Sequence, residues 1–129
     1  MEVQIKRLDQ DGHDFDIGEG CRAQALVWPG MGSIYRSMNY LEVSESNKTR
    51  EFIHNDSEAT YFIAQGTGKV IDVDSGEMFE VKKGKMILLD SGTRYVFEAN
   101  GGEKLICIGG PCPPDSALYK KNKLSNKGE

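Results

Sequence analysis

The chain has 129 residues, the size of one domain, and its 16 basic and 20 acidic residues give a formal net charge of -4. A chain of this length buries roughly two-thirds of the surface that its unfolded form exposes, so we expect one domain spanning residues 1–129. The acidic balance argues against a nucleic-acid partner, because phosphate backbones are bound by clustered Lys and Arg side chains.

Neither a membrane span nor a secretion signal is visible in the sequence. No segment approaches the ~20 apolar residues that cross a bilayer, and the N-terminal segment lacks the apolar centre of a signal peptide. We therefore expect a cytoplasmic protein without a membrane partner. In that compartment the three cysteines, Cys21, Cys107 and Cys112, are expected to be free thiols, because an odd count without framework spacing does not indicate a disulfide scaffold.

Short apolar segments rich in strand-forming residues follow one another along the chain, separated by Gly, Asn, Asp or Ser. This pattern is typical of an all-β protein. In chain order, strands are predicted at residues 22–28, 34–43, 60–64, 68–73, 77–81, 85–89, 94–98 and 104–108. About eight antiparallel strands can close a barrel whose interior holds side chains or one small ligand.

Turn-forming residues punctuate the second half of the chain and predict antiparallel neighbours. The three turns are Asp74-Ser75-Gly76, Lys82-Lys83-Gly84 and Asn100-Gly101-Gly102. Segment 109–114, rich in glycine and proline, is expected to end the sheet, because proline lacks the N–H that a ladder needs. The barrel core is thus predicted at about 22–110. A short C-terminal extension follows at about 111–129, with one helical turn at 115–119 and a polar, basic tail.

Two segments resemble the signature motifs of the cupin superfamily. Residues 58–68 contain a carboxylate, an alternating apolar strand and the closing tripeptide Gly66-Thr67-Gly68. Residues 84–95 contain a glycine, an apolar strand and a second glycine, Gly92. The resemblance implies a single cupin-type antiparallel β-barrel, or jelly roll, that binds a small molecule in its interior.

The resemblance also locates the positions where cupins usually hold a metal ion. Those positions are Phe52, His54, Ala59 and Tyr95 in this chain, so the usual cage of histidines and a glutamate is absent. The two histidines of the chain cannot supply a three-histidine site, and no cofactor is predicted. The alternative is a divalent metal bound by Glu58, His54 and Tyr95, similar to the Glu, Tyr and His set by which ectoine synthases, cupins of similar length, bind iron.

Two residues are predicted to be catalytic. The resemblance places His54 at the barrel mouth, where an imidazole suits proton transfer; the alternative is a solvated loop histidine. Tyr95 stands where the family has the histidine of its second motif, and it is expected to point into the barrel. There it can donate a proton or bind a polar substrate, unless it is a core tyrosine bonded to backbone.

Five further residues are predicted to bind the ligand: Tyr61, Arg36, Tyr40, Glu58 and Arg94. Tyr61 has the inward parity of its strand. Arg36 and Tyr40 share one face of the predicted strand 34–43, but parity alone does not say which face lines the barrel. An inward Arg36 needs a carboxylate, for example from a substrate; the alternative is a solvent-facing arginine. Arg94 is expected to point away from the interior and to contact a ligand only at the rim.

Three functions of different classes remain open. The first is an enzyme of small-molecule metabolism, an isomerase, cyclase, dehydratase or lyase that uses acid/base chemistry of His54 and Tyr95. The second is a metal-dependent cupin, a dioxygenase or an ectoine-synthase-like cyclase, with Glu58 added to that pair. The third is a non-catalytic metabolite-binding or sensor protein. Because cupins commonly pair through N-terminal strands, the resemblance also implies a homodimer, with Ala23 and Ala25 among the apolar residues of the pairing strand.

Overall fold

The computed structural model describes residues 3–119 and confirms the all-β antiparallel class. Within those residues the chain forms nine strands, one short 3-10 turn, Pro29–Met31, and a helical turn over residues 116–119. The strands are β1 (His13–Phe15), β2 (Cys21–Val27), β3 (Met38–Val43), β4 (Glu58–Gln65), β5 (Thr67–Asp72), β6 (Met78–Lys82), β7 (Met86–Leu89), β8 (Tyr95–Ala99) and β9 (Leu105–Cys112). β1 is missing from the sequence-based prediction, because three residues are too few to establish alternation.

The strands form two sheets that share one core and together make the predicted jelly-roll barrel. The larger sheet has the order β1-β2-β3-β9-β4-β7, and the smaller one has the order β6-β5-β8. Buried side chains of both sheets belong to a single hydrophobic cluster. No helix within residues 3–119 combines the length and the apolar character that crossing a bilayer requires.

The segment before β4 extends the smaller sheet along the free side of β8. Phe52 and Tyr95 exchange backbone N–H···O bonds of 2.8 and 2.9 Å, and the Thr49 N–H donates to the Phe97 carbonyl at 2.9 Å. The His54 carbonyl then accepts from the Gly92 N–H at 2.8 Å. These bonds fix the loop after Phe52 next to the start of β8, so His54 and Tyr95 are held close together by backbone contacts.

Two of the three predicted turns do not join paired strands, so that part of the prediction is wrong. Asp74-Ser75-Gly76 does connect the antiparallel pair β5 and β6. After Lys82-Lys83-Gly84, however, β7 pairs with β4, and after Asn100-Gly101-Gly102, β9 pairs with β3 and β4. Turn residues specify that the chain reverses but not which strand it meets, and here the reversals carry the chain from one sheet to the other.

The expectation that the sheet ends at residue 109 is also wrong, because β9 continues to Cys112. Pro111 lies opposite Ala59 and Cys112 lies opposite Glu58. The register of β9 with β3 stops at Gly109, and the Pro111 carbonyl accepts from the Ser37 hydroxyl at 2.6 Å. In a strand the N–H and C=O of one residue point to the same side, so the N–H that proline lacks faces away from β4 and costs no ladder bond.

The glycine before this extension is required by close packing of two backbones. A Cβ atom on Gly109 would lie 1.9 Å from the Thr60 carbonyl oxygen of β4. Only a residue without a side chain allows this approach. The glycine therefore lets β9 stay against β4 up to Cys112, and it delivers the C-terminal segment, helical from residue 116, to the mouth of the barrel.

Candidate active site

His54 is buried and uses both of its ring nitrogens. Its exposed fraction is 4%. The Nε2 atom lies 2.8 Å from the Tyr95 hydroxyl oxygen, and the Nδ1 atom lies 2.8 Å from Oδ2 of Asp115. The alternative of a solvated loop histidine is therefore wrong: the backbone contacts of the loop direct the imidazole into the barrel mouth.

Tyr95 and Tyr61 meet in the centre of the barrel. Their hydroxyl oxygens are 2.8 Å apart, although Tyr95 comes from β8 of the smaller sheet and Tyr61 from β4 of the larger one. The inward parity predicted for both residues is confirmed by their exposed fractions, 0% for Tyr95 and 3% for Tyr61. The Tyr95 hydroxyl contacts two side chains, Tyr61 and His54, so it is not the backbone-bonded core tyrosine of the alternative.

Asp115 completes the site and was not found from the sequence. It follows β9 and Pro113-Pro114, and its Oδ1 atom accepts from the Ala117 N–H at 3.0 Å, which caps the helical segment. Its other carboxylate oxygen contacts His54, which is 61 positions earlier in the chain. An Asp before a short helical stretch is a recognisable cap signal. Its second role depends on the tertiary fold and leaves no local pattern.

These four side chains form one continuous hydrogen-bonded row, which we call the relay: Tyr61, Tyr95, His54 and Asp115. Each link measures 2.8 Å. The outer end opens into a cleft of about 530 Å³ between residues 51–57 and 113–118, where the Asp115 side chain is 21% exposed. The relay thus connects solvent with the fully buried centre of the barrel.

Burial decides the protonation of the two phenols. It raises the pKa of Tyr95 well above the ordinary value, and burial likewise raises the pKa of Tyr61. Both hydroxyls are therefore protonated at neutral pH and can donate as well as accept hydrogen bonds. Burial also raises the pKa of the Cys107 thiol, which suits the structural role of a buried Cys rather than that of a nucleophile.

The barrel centre is filled by aromatic rings at the level of Tyr95. Tyr95 and Phe97 have no accessible surface, and the Tyr61 and Phe97 rings meet edge to face with centroids 5.0 Å apart. Tyr119 is also buried: its hydroxyl donates to Oδ1 of Asn39 at 3.0 Å and its ring contacts that of Trp28. The expected hollow around Tyr95 is thus absent in this structure, and the cleft beside His54 is the open space that adjoins the relay.

Three predicted ligand-binding residues lie outside the barrel, so their assignment is corrected. β3 turns Asn39, Leu41 and Val43 inward. Tyr40 therefore faces outward, where burial and a 2.7 Å bond to Glu42 raise its pKa to about 12. Arg36 precedes β3 and is exposed, as its solvent-facing alternative states. Glu58 is exposed and shares the outward parity of Thr60 and Phe62 on β4.

Arg94 lies where the sequence predicted it, on the outer side beside Tyr95. Its guanidinium approaches Glu51 at 3.6 Å and Asp74 at 3.5 Å. Its side chain is 39% exposed, so these ion pairs are largely solvated and hold the start of β8 only weakly. Because Glu51 also lines the cleft, Arg94 is placed at the rim and not in the interior.

The residues of the alternative metal set do not converge on one point. His54 has no free ring nitrogen, because one contacts Asp115 and the other contacts Tyr95. Glu58 points to the opposite side of β4 from Tyr61. Over residues 3–119, no group of three or more His, Cys, Asp or Glu side chains is arranged to hold a metal ion. The residues present therefore do not fit a resident divalent metal.

The sequence of this chain matches the model of a known protein family. The family model of ectoine synthase matches residues 24–117. The chain belongs to the ectoine synthase family. L-ectoine synthase from Oceanobacillus iheyensis is 28% identical over 109 residues, which are 83% of this chain and 84% of that protein. L-ectoine synthase from Rhodococcus opacus is 27% identical over 78 residues, and the match spans only 59% of its length and 60% of this chain.

Solved structures share the fold of this ectoine synthase family member. The polyketide cyclase RemF from Streptomyces resistomycificus superposes with a TM-score of 0.69 at 20% identity, covering 88% of this chain and 83% of its own. Ectoine synthase from P. lautus gives 0.67 at 16% identity, with coverages of 94% and 86%. A cupin 2 barrel protein from Salinispora arenicola gives 0.69 at 17% identity, with coverages of 97% and 99%. At these identities the likeness establishes the cupin fold.

The buried phenols predict a loss of stability at alkaline pH. In the unfolded chain a tyrosine titrates near pH ~10, whereas burial keeps Tyr61 and Tyr95 protonated in the folded state to higher pH. Above pH ~10 the folded state holds more protons, so the free energy of unfolding falls by up to about 1.4 kcal/mol per pH unit for each phenol. Below that pH the contribution is fully present.

Urea unfolding between about pH 8 and pH 11 measures this slope. Tyr61→Phe should reduce the slope of the unfolding free energy against pH by the contribution of one phenol. Tyr35→Phe, at a position that is 75% exposed, should leave it unchanged. An identical decline in Tyr61→Phe and in the unsubstituted protein would contradict the burial argument.

Proposed function

We propose that this chain is an enzyme of small-molecule metabolism, in which the relay performs acid/base chemistry of the cyclase, isomerase, dehydratase or lyase type. Membership of the ectoine synthase family supports an enzymatic role. The observation that carries the proposal is the unbroken row of three 2.8 Å contacts from Tyr61 to Asp115. A row of this kind moves protons between the barrel centre and the cleft without moving heavy atoms.

The surroundings of the relay suit proton transfer. An imidazole is the side chain most often used as acid or base near neutral pH, and general acid/base catalysis contributes about 10²–10⁴-fold to a rate. The phenols lie among Phe52 and Phe97, so bulk water is excluded from their hydroxyls. Exclusion of water strengthens each electrostatic contact and protects reactive intermediates. We propose that the substrate reaches the relay from the cleft side.

This chemistry is proposed to proceed without a resident metal, because the possible ligands are turned apart or already hydrogen-bonded. Elemental analysis of untagged protein should find iron, zinc, nickel and manganese far below one equivalent per chain. Turnover should survive dialysis against a chelator. Stoichiometric metal that is lost together with activity would instead support the metal-dependent cupin that Glu58, His54 and Tyr95 define.

The Tyr95 hydroxyl is predicted to be essential for turnover but not for binding. Tyr95→Phe removes one oxygen from the middle of the relay and keeps the ring packing. Turnover should fall by about 10²-fold or more, whereas affinity should stay within about tenfold, roughly 1.4 kcal/mol. The substrate of L-ectoine synthase is the first compound to test, followed by ligands that native mass spectrometry finds bound to purified protein.

The control for this variant is Tyr35→Phe, which changes an exposed tyrosine outside the relay. Equal turnover in Tyr95→Phe and in the control would remove Tyr95 from the mechanism. A ligand that binds the unsubstituted protein but is never converted would support the metabolite-binding or sensor alternative.

We also propose that two copies of the chain pair through the outer face of the larger sheet. In the N-terminal strand expected to pair, the side chains of Ala23 and Ala25 are buried within the barrel. On the outer face of the larger sheet, four apolar side chains are exposed around one shallow groove: Met38, Phe62, Met86 and Leu88. None of these four side chains is charged. A twofold interface places the same patch of both copies face to face, and an uncharged patch does so without electrostatic repulsion. This favours a second copy of the chain as the occupant.

Light scattering should therefore give twice the chain mass of 14.3 kDa. Met86→Glu, at a position that is 80% exposed on β7, should produce monomers. Met78→Glu is the matched control, because this residue is 61% exposed but lies on β6 of the smaller sheet. A monomeric unsubstituted protein, or a Met86→Glu variant that remains dimeric, would contradict the proposed interface.

A further inference from the structure

We propose that Asp115 is a positioning residue that fixes the tautomer of His54 and thereby sets the direction of every hydrogen bond in the relay. This inference deepens the proposed function and rests on it for its catalytic meaning. It gives the relay one direction, in which each hydroxyl donates its hydrogen toward His54. The geometry of the Asp115 carboxylate carries the argument.

Both oxygens of that carboxylate are held in defined places. Oδ1 accepts from the Ala117 N–H at 3.0 Å, as a helix cap, and Oδ2 lies 2.8 Å from Nδ1 of His54. An ionised carboxylate has no proton to donate, so the proton in the second contact must belong to the imidazole. Asp115 therefore selects the form of His54 that carries its hydrogen on Nδ1.

The segment that carries Asp115 is anchored on both sides of it. Before Asp115, the Pro113 carbonyl accepts from the Ser57 hydroxyl at 2.6 Å. After it, the Tyr119 hydroxyl donates to Asn39 at 3.0 Å, and the Tyr119 ring packs edge-on against Phe15. These contacts hold the carboxylate in register with His54, so its position follows from the fold and not from a mobile tail.

The tautomer determines the direction of the remaining links. In neutral His54 with the hydrogen on Nδ1, the Nε2 atom has a lone pair and can only accept. Tyr95 must then donate its single hydroxyl hydrogen to Nε2. The oxygen of Tyr95 consequently accepts from the Tyr61 hydroxyl.

The tautomer of His54 can be observed directly by long-range 1H–15N correlation spectra of the imidazole rings, because protonated and bare ring nitrogens differ strongly in 15N shift. The chain has two histidines, so His13, whose ring stacks on Trp28, serves as the internal reference. The unsubstituted protein near neutral pH should show His54 with a protonated Nδ1 and a bare Nε2. The measurement requires no substrate.

The substitution Asp115→Asn should reverse this assignment. The Ala117 N–H still needs an acceptor, and in an amide only the oxygen can accept, so the NH₂ group is turned toward His54. It then donates to Nδ1, which must be bare, and the hydrogen moves to Nε2. Because the cap is retained, thermal stability should change little. In the spectrum, Nδ1 of His54 should now show the 15N shift of a bare nitrogen and Nε2 that of a protonated one. Asp90→Asn, at an exposed position outside the relay, should leave the spectrum unchanged.

Two results would overturn the inference. One is an unsubstituted protein in which Nε2 carries the hydrogen, alone or together with Nδ1. The other is an Asp115→Asn spectrum identical to that of the unsubstituted protein. If the hydrogen moves from Nδ1 to Nε2 in Asp115→Asn, the positioning role is established even if no turnover is ever found. Failure of the proposed function is therefore distinguishable from failure of this inference. With a substrate in hand, Asp115→Asn should lower kcat by about 10²-fold or more and leave KM within a few-fold.

Discussion

The arrangement of the relay depends on the need to satisfy a buried phenol. Tyr95 has no accessible surface, and a phenol taken out of water without a hydrogen bond costs several kcal/mol. Its hydroxyl is satisfied from both sides, by Tyr61 of the opposite sheet and by His54 of the mouth loop. The imidazole in turn needs a partner for its second nitrogen, which Asp115 provides. Each member of the relay is thus required by the one before it, and only the last reaches solvent.

This requirement explains the irregular features around the mouth. The loop that carries His54 is tied to β8, and β9 runs past the point where a Gly-Gly-Pro sequence would ordinarily end a strand. Without that extension, the C-terminal segment would leave the barrel at Gly109 and Asp115 could not meet His54. The absence of a side chain on Gly109 and the outward-facing nitrogen of Pro111 allow the extension at little cost in ladder bonds.

The sequence predicts well those features that have a local period. The cupin resemblance assigned Tyr95 to the interior and His54 to the barrel mouth, and alternation along β4 assigned Tyr61 to the interior. Prediction from the sequence fails where a feature depends on a contact between residues that are far apart in the chain. The partner strands of β7 and β9 depend on which faces must be covered, and Asn39, which β3 turns inward, meets a partner 80 residues later, Tyr119. The role of Asp115 depends on such a distant contact too. An Asp that only caps a helix and an Asp that also binds His54 look the same in the local sequence.

The choice of tyrosine at position 95 is consistent with the rest of the site in physical terms. A divalent cation in an apolar barrel must be neutralised by ligands turned toward it, and Glu58, the carboxylate next to Ala59 at the family's usual metal position, points to the outer side of β4. The two buried phenols of the row are protonated at neutral pH, so they carry no ionic desolvation penalty. The carboxylate of the row belongs to Asp115 at the outer end, where its side chain is 21% exposed. The row therefore places its carboxylate at the mouth, where solvent can help to stabilise a charge, and keeps uncharged phenols in the interior.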